Sequence, residues 1–325
     1  MYKRQVSDKA DHPDAQIEIP AGSSFKDLIG LKGTSNLGDD INKIILAPIA
    51  EANGLKGVID LADFNDEDKL GKGKEMVDRL TNLISIFQNE ALDFSKNRAE
   101  GDDILGDAYE YLMRNFATQS GKSKGQFYTP AEVSRILAKV IDIDKATSAS
   151  QSVYDPTCGS GSLLLKAADE APVQLTIYGQ EMDNATTALA KMNMILHGNA
   201  AASQDIHQGN TLASPYFKVE ENGLKRLKTF DYAVANPPFS TKSWSNGFDP
   251  FNDEFKRFRY GIPPAKNGDY AFLLHIITSL KGTGKGAVIL PHGVLFRGNA
   301  EATIRAQLLT QGLIKGIIGL PANLF

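Results

Sequence analysis

A single cysteine, Cys158, stands in a chain of 325 residues. No disulfide framework can form, and a reducing cytoplasm is the compartment this usage suits. The sequence has no apolar run of membrane-spanning length and no secretory leader at its amino end, so no membrane is expected among its partners. It has no internal repeat, which excludes a solenoid, and no low-complexity tract. What remains is ordinary for a globular protein of one large or two modest domains: 42% hydrophobic and 23% charged residues. The net charge of −4 is unevenly spread, with 14 Lys+Arg against 22 Asp+Glu in residues 1–120 and 21 against 17 in residues 121–325. The basic half either faces a polyanion or shows ordinary surface variation; charge alone leaves both open.

Residues 1–20 are polar and aperiodic and read as a disordered tail. Residues 21–120 read as a partial helical domain. Ile41, Ile44, Ile45 and Ile49 recur at helical spacing, as do Met76, Leu80, Leu83, Ile84 and Phe87, and a third run carries Ile104 to Phe116. "NRAEGDD" (97–103) breaks the pattern, and "SGKSKG" (120–125) reads as a flexible joint. Residues 121–325 alternate β-rich runs ("SVYD", "LTIYGQE", "DIHQGN", "FDYAVANPP", "GAVILP", "IKGIIGLP") with helical candidates at 130–142, 184–197, 268–281 and 299–312. That alternation predicts an α/β fold with a doubly wound parallel sheet, and unbroken apolar strands predict helices on both its faces.

"VYDPTCGSGSLLLKAA" (153–168) reads as strand, tight glycine turn and helix. Gly159 and Gly161 permit backbone conformations and close ligand approach that a Cβ would block. Glu181 stands twenty residues past Gly161, at the end of the next expected strand, where an acid can grip two ribose hydroxyls. The loop is neither G-x-G-x-x-G nor a P-loop. A nucleoside-bearing sulfonium fits better, since it needs close backbone approach and a carboxylate, here Asp155, for its ammonium end. "KGTGKG" (281–286) lacks P-loop spacing and context and reads as a turn. Cys158 reads as a packing residue rather than a nucleophile.

"FDYAVANPPFS" (230–240) places Asn236 at the carboxyl end of a strand, where open α/β sheets bind ligands. Pro237 keeps Asn236 out of the helical region, and Pro237 and Pro238 both have fixed φ and no N–H. The Asn236 side-chain oxygen and the Pro237 carbonyl form a stiff acceptor pair suited to an –NH2 group: adenine N6, cytosine N4 or an amide. Accepting both hydrogens localises the nitrogen lone pair for in-line attack on a methyl group, by positioning and electrostatics. Phe239 offers a face on which an extruded base can stack.

These residues resemble the amino-group DNA methyltransferases, in particular the modification (methylation) subunit of type I restriction–modification systems. "DPTCGSGSLLL", "GQEMDNATTALAKMNMILHG" and "NPPFS" are similar to that family's cofactor loop, second-strand motif and catalytic motif. "GQFYTP" (125–130), "LPHGVLFRG" (290–298) and "GLPANLF" (319–325) are similar to its flanking motifs, and the order is the family's over roughly residues 20–325. The resemblance implies a Rossmann-like, S-adenosylmethionine-dependent methyltransferase acting on adenine N6 in double-stranded DNA with the target base flipped out. It also implies partnership with a DNA specificity subunit and a restriction subunit. Asp155, Thr157, Gly159, Ser160 and Gly161 would surround the methionine part of the cofactor. Glu181 would hold the ribose, Met182 would pack on the adenine, and Asn210 would contact it. Phe127, Tyr128 and Thr129 would close over the cofactor, and Asn236, Pro237, Pro238 and Phe239 would handle the target base. No metal enters this reading. The resemblance further implies that the family's last strand would follow Phe325, so a fragment, poorly stable alone, is expected.

Independently, Thr129-Pro130-Ala131-Glu132 reads as a capping box with proline first in the helix, and that helix is expected to bury Val133, Ile136, Leu137, Val140 and Ile141. Lys242, Lys256, Arg257, Arg259 and Lys266, mixed with Trp244, Phe251, Phe255, Phe258 and Tyr260, form either a phosphate-contacting loop or a solvated loop with a small aromatic core. The acceptor pair alone leaves open a self-sufficient methyltransferase acting on cytosine N4 or a protein glutamine. A non-catalytic scaffold subunit is the remaining alternative, disfavoured by intact Asp155, Glu181 and Asn-Pro-Pro-Phe.

Overall fold

The structure is a computed structural model that describes residues 17–92, 129–221 and 223–321. The chain divides into two compact units, Met1–Ala108 and Tyr109–Phe325. The expected helix at 104–116, the break at 97–103, the joint at 120–125, and Phe127 and Tyr128 lie outside the described residues. Among the described residues no helix is long and apolar enough to cross a membrane.

The described part of the first unit is helical. α1 (Phe25–Gly30) starts from a capping box in which Ser24 and Asp27 satisfy each other's backbone N–H. α2 (Leu37–Asp40), a π-helical segment (Ile41–Leu46) and α3 (Ala47–Ala52) run on in sequence. α4 (Glu67–Leu70) precedes α5 (Lys74–Phe87). Ile41, Ile45, Met76, Leu80 and Ile84 meet Phe25, Leu28 and Leu37 in one core. Of the periodic residues, Ile44 and Leu83 stay largely exposed. Residue 18, within the expected tail, is held by Asn53, whose side chain bonds both its N–H and its carbonyl at 2.7 Å.

The second unit carries α6 (Ala131–Val140), β1 (Ser152–Asp155), α7 (Ser162–Asp169), β2 (Thr176–Glu181), α8 (Asn184–Leu196) and β3 (Ile206–Gln208). A hairpin of β4 (Lys218–Glu221) and β5 (Leu224–Leu227) follows, then β6 (Phe230–Ala235), α9 (Asp269–Thr278), β7 (Leu280–Val288) and α10 (Ala300–Thr310). The main sheet has the order β3-β2-β1-β6-β7, all parallel. This is the doubly wound α/β, Rossmann-like arrangement. The order reverses between β1 and β6, the position at which such sheets open a ligand crevice. Val153, Ile177, Tyr232 and Val234 pack into a core with α6, α7 and α8. Ala233 and Ala235 meet Ile276 of α9 on the other face. Burial on both faces is why these strands carry no polar alternation.

Four expectations are corrected. "IKGIIGLP" is not a strand: Ile317 and Ile318 are 64% and 59% exposed, and no described strand pairs with this segment. An apolar run becomes a strand only against a ladder partner. "KGTGKG" is no free turn but part of β7, where a register shift between Phe230 and Tyr232 absorbs the extra residues as a bulge. Ile136 and Val140 are 41% and 50% exposed, and of the five residues expected inside only Val133, Leu137 and Ile141 reach the core, joined there by Ala138. The capping box at Thr129 does not form: α6 begins at Ala131 after Pro130, with no side-chain cap. The hairpin β4–β5 is an addition to the expected elements, because its residues show no apolar alternation.

Candidate functional site

Parallel strands bring the carboxyl ends of β1, β2 and β6 to one edge of the sheet. Asp155 ends β1, Glu181 ends β2, and Asn236 follows β6. The register Tyr154↔Ala233 sets Asn236 just beyond the level of Asp155.

Between β1 and α7 the glycine loop folds as the sequence requires. Gly159 and Gly161 have φ of +55° and +79°, a region costly for any residue with a Cβ. A Cβ on Gly161 would also stand 2.7 Å from Met194 Cε. Cys158 is buried in the core as a packing residue, and burial pushes its thiol well above the ordinary value. The Cys158 N–H donates to the Gln180 carbonyl at 3.0 Å, stitching the loop to β2. Ser160 turns inward: its hydroxyl lies 3.0 Å from that of Ser162, and Asn193 Nδ2 donates to its carbonyl at 3.0 Å. Its side chain therefore supports the loop from behind.

Two acids frame the loop. Asp155 is 1% exposed; its Oδ1 accepts from the Thr157 N–H at 2.8 Å and the Thr157 hydroxyl at 3.3 Å. Burial outweighs those bonds and pushes its pKa up to about 8. Glu181 accepts the Gly159 N–H on Oε2 at 3.0 Å and the Asp183 N–H on Oε1 at 2.9 Å. Burial raises its pKa too, against backbone hydrogen bonds from Asp183, Gly159 and Met182. A carboxylate so placed suits a vicinal diol. Met182 beside it is 66% exposed, an apolar side chain open to a planar ring. Asn210 Oδ1 is committed to the backbone N–H groups of Leu212 and Ala213 at 3.0 and 3.2 Å. A buried acid at the loop, a braced acid at the next strand and an open apolar platform fit an adenosyl sulfonium.

At β6, Pro237 is buried and Phe239 is 37% exposed. Asn236 Nδ2 donates to the Thr129 hydroxyl at 3.2 Å. Thr129 is buried, and its hydroxyl serves Asn236 instead of capping α6. In the sequence these two residues are joined only through the family resemblance.

The loop after the motif contains the expected small aromatic core. Trp244 and Phe258 are buried with Leu212 and Tyr270 in a small core. Arg257, one of the five candidate phosphate ligands, is 1% exposed. Its guanidinium forks onto Asp253 at 2.6–3.1 Å and reaches His275, which in turn meets the Tyr154 hydroxyl at 3.0 Å. Arg257 is therefore a structural ion. Lys242, Lys256, Arg259, Lys266 and Phe251 remain at the surface.

Sequence reading misses the groups that hold this edge together. Gln180 pins the loop after β3 by donating to the Ser214 carbonyl and accepting from the Tyr216 N–H, both at 3.0 Å. The Thr211 hydroxyl donates to the Pro156 carbonyl at 2.6 Å. The Ser240 N–H donates to Asp269 Oδ1 at 2.7 Å. No local pattern announces such pairs, because each joins residues far apart in the chain.

The chain is similar to known proteins over most of its length. Residues 100–325 match the N-6 DNA Methylase family model. The chain is 35% identical over 297 residues to the type I restriction enzyme MpnII methylase subunit of Mycoplasma pneumoniae, covering 88% of this chain and 53% of that one. It is 32% identical over 292 residues to the MjaVIII methylase subunit of Methanocaldococcus jannaschii, covering 84% and 47%. It thus spans about half the length of these relatives. The crystal structure of a type I restriction-modification system methyltransferase subunit from Streptococcus thermophilus superposes with a TM-score of 0.75 at 32% identity, covering 99% of this chain and 68% of that chain.

Proposed function

The chain belongs to the N-6 DNA methylase family, and from that premise we propose that it methylates the N6 amino group of adenine in DNA, as the methylation subunit of a type I restriction–modification complex. S-adenosylmethionine is the proposed methyl donor, supplying an electrophilic sulfonium methyl. Asp155 takes the ammonium end, the Thr157–Gly161 loop the methionine backbone, Glu181 the ribose hydroxyls and Met182 the adenine face. Asn210 lends rigidity to this wall through its bonds to Leu212 and Ala213. Phe127 and Tyr128 are proposed to complete the cofactor enclosure, as the family resemblance implies.

The observation that carries the reading is the placement of Asn236 beside the glycine loop, at the reversal of strand order. There the Asn236 side-chain oxygen and the Pro237 carbonyl accept the two hydrogens of the target amino group, and the fixed φ of Pro237 and Pro238 stiffens the backbone that carries them. The adenine is flipped from the duplex and stacks on Phe239, a contact worth about 1–3 kcal/mol. No side chain needs to act as a strong base, since the amino nitrogen acidifies once methylated and its proton can pass to water. A DNA specificity subunit is proposed to choose the sequence and a restriction subunit to complete the complex.

The test is Asn236→Ala in the full-length subunit assembled with its partners. Methylation of DNA should disappear while S-adenosylmethionine still binds, and nucleoside digestion of wild-type product should yield N6-methyladenine. Recovery of N4-methylcytosine, or of methylated protein alone, would replace adenine as the substrate. Absence of cofactor binding to the folded wild-type subunit would favour a scaffold role.

A further inference from the structure

The motif "LPHGVLFRG" (290–298) has no role in the site described above, yet one of its residues reaches the base-handling loop. Arg297 Nη2 donates to Asp269 Oδ2 at 2.5 Å. The same guanidinium forks onto Glu301, from Nε at 2.5 Å and Nη2 at 3.0 Å. Asp269 and Glu301 are each 1% exposed. The other oxygen of Asp269 accepts the Ser240 N–H at 2.7 Å, and Ser240 is the residue that follows Phe239.

Ser240 sits at φ +51°, a conformation that costs a residue with a Cβ about 1 kcal/mol or more and persists only where its surroundings enforce it. Further ties pin the same turn. The Thr241 hydroxyl donates to the Pro238 carbonyl at 3.0 Å, and the Gly268 N–H donates to the Thr241 carbonyl at 2.9 Å. The arginine end is braced as well: Arg305 donates to the carbonyls of Val294 and Arg297 at 2.9 and 3.1 Å. A buried carboxylate is costly unless paired, and the cation that pairs Asp269 is Arg297, which it shares with Glu301.

We propose that Asp269 and Arg297 are positioning residues for methyl transfer: together they enforce the Ser240 backbone and so aim Phe239 and the Pro237 carbonyl at the target base. The clamp touches neither cofactor nor base. It rests on the proposed function, because the aim matters only if a base is presented to Phe239. Its partner atoms are a planar fork and a carboxylate, so a lysine at 297 keeps the charge but cannot bridge Asp269 and Glu301 at once. An asparagine at 269 keeps an acceptor for Ser240 but loses the ionic pair.

The test compares Arg297→Lys and Asp269→Asn with wild type in the assembled complex. Single-turnover methylation is expressed per S-adenosylmethionine-binding site, so misfolded protein does not count. Both variants should bind the cofactor with unchanged affinity and transfer methyl about 10- to 100-fold more slowly, the scale of a misaligned reactant. Wild-type rates per site in the variants would overturn the clamp. So would variants that melt earlier or lose the cofactor site in step with activity, which would mark the trio as a structural ion pair only. If the wild-type complex binds cofactor but methylates no adenine, the proposed function fails first, separately from the clamp.

Discussion

Asn236 donates its side-chain amide hydrogen to the Thr129 hydroxyl at 3.2 Å, across 107 positions of sequence. Thr129 precedes α6, and Asn236 ends the path of β6, so the bond ties the entry of a helix to the residue proposed to receive the target amino group. It turns the Asn236 amide plane to one orientation before any substrate arrives. Preorganisation of this kind lowers the cost of reaching the reactive geometry.

Thr129→Val removes the hydroxyl at nearly constant volume. Losing one hydrogen bond of about 1 kcal/mol should slow single-turnover methylation about fivefold. Thr129→Ser should restore most of the rate. Cofactor affinity, measured by calorimetry, separates two roles: if Thr129→Val weakens binding and leaves the rate at saturation intact, Thr129 serves the cofactor and not Asn236.

If Asp155 takes the ammonium group as proposed, stability and cofactor binding should depend on pH in opposite senses. Its folded pKa of about 8 stands above the unfolded value of 3.8, because burial disfavours the charge. Such a group stabilises the cofactor-free fold fully below the unfolded pKa and loses that contribution as pH rises through the folded one. The melting temperature should therefore fall between pH 5 and pH 8, and Asp155→Asn should flatten that slope. Affinity for S-adenosylmethionine should rise over the same range, with proton release visible by calorimetry in buffers of different ionisation enthalpy. Proton uptake on binding would contradict the assignment of Asp155 to the ammonium group.

Arg257 and its exposed neighbours should behave differently. Arg257→Ala strands the buried carboxylate of Asp253, a loss of about 3–5 kcal/mol in stability, seen in denaturant unfolding. Lys256→Ala and Arg259→Ala should leave stability nearly unchanged and reduce the salt dependence of DNA binding, by about one unit of log–log slope for each phosphate that the side chain neutralises. A full salt slope in both the Lys256 and the Arg259 variants would remove this loop from the DNA interface.

Gly161→Ala should collapse the cofactor loop through two separable causes. The φ of +79° disfavours any Cβ, and the added atom would stand 2.7 Å from Met194 Cε. Trimming the neighbour in Gly161→Ala/Met194→Ala removes the second cause only. Cofactor binding should stay impaired in the double variant; full recovery would show that the close approach of Met194, not the backbone, sets the requirement.

The strands are legible because both faces of the sheet are covered, so "SVYD", "LTIYGQE" and "FDYAVA" are rich in apolar residues without strict apolar–polar alternation. Misreadings fall where partners decide. "IKGIIGLP" has the composition of a strand but pairs with no described strand. Ile136 and Val140 have helical spacing, yet the covered stripe of α6 is narrow and leaves them exposed. Arg257 reads as a surface cation, but Asp253 four residues earlier receives its fork and draws it inside.

By itself the sequence determined the local chemistry of the site. Glycines at 159 and 161 permit the left-handed loop, prolines at 237 and 238 stiffen the acceptor end of β6, and carboxylates stand at the ends of two strands. Those properties are covalent or short-range, and they travel with the residues. Only the tertiary structure decided which groups hold that chemistry in place. Thr129 reaches Asn236, and Asp269 with Arg297 grips Ser240, because parallel strands and the helices between them bring distant segments to one edge. The cost of burying Asp155 likewise arises only once the core has closed around it.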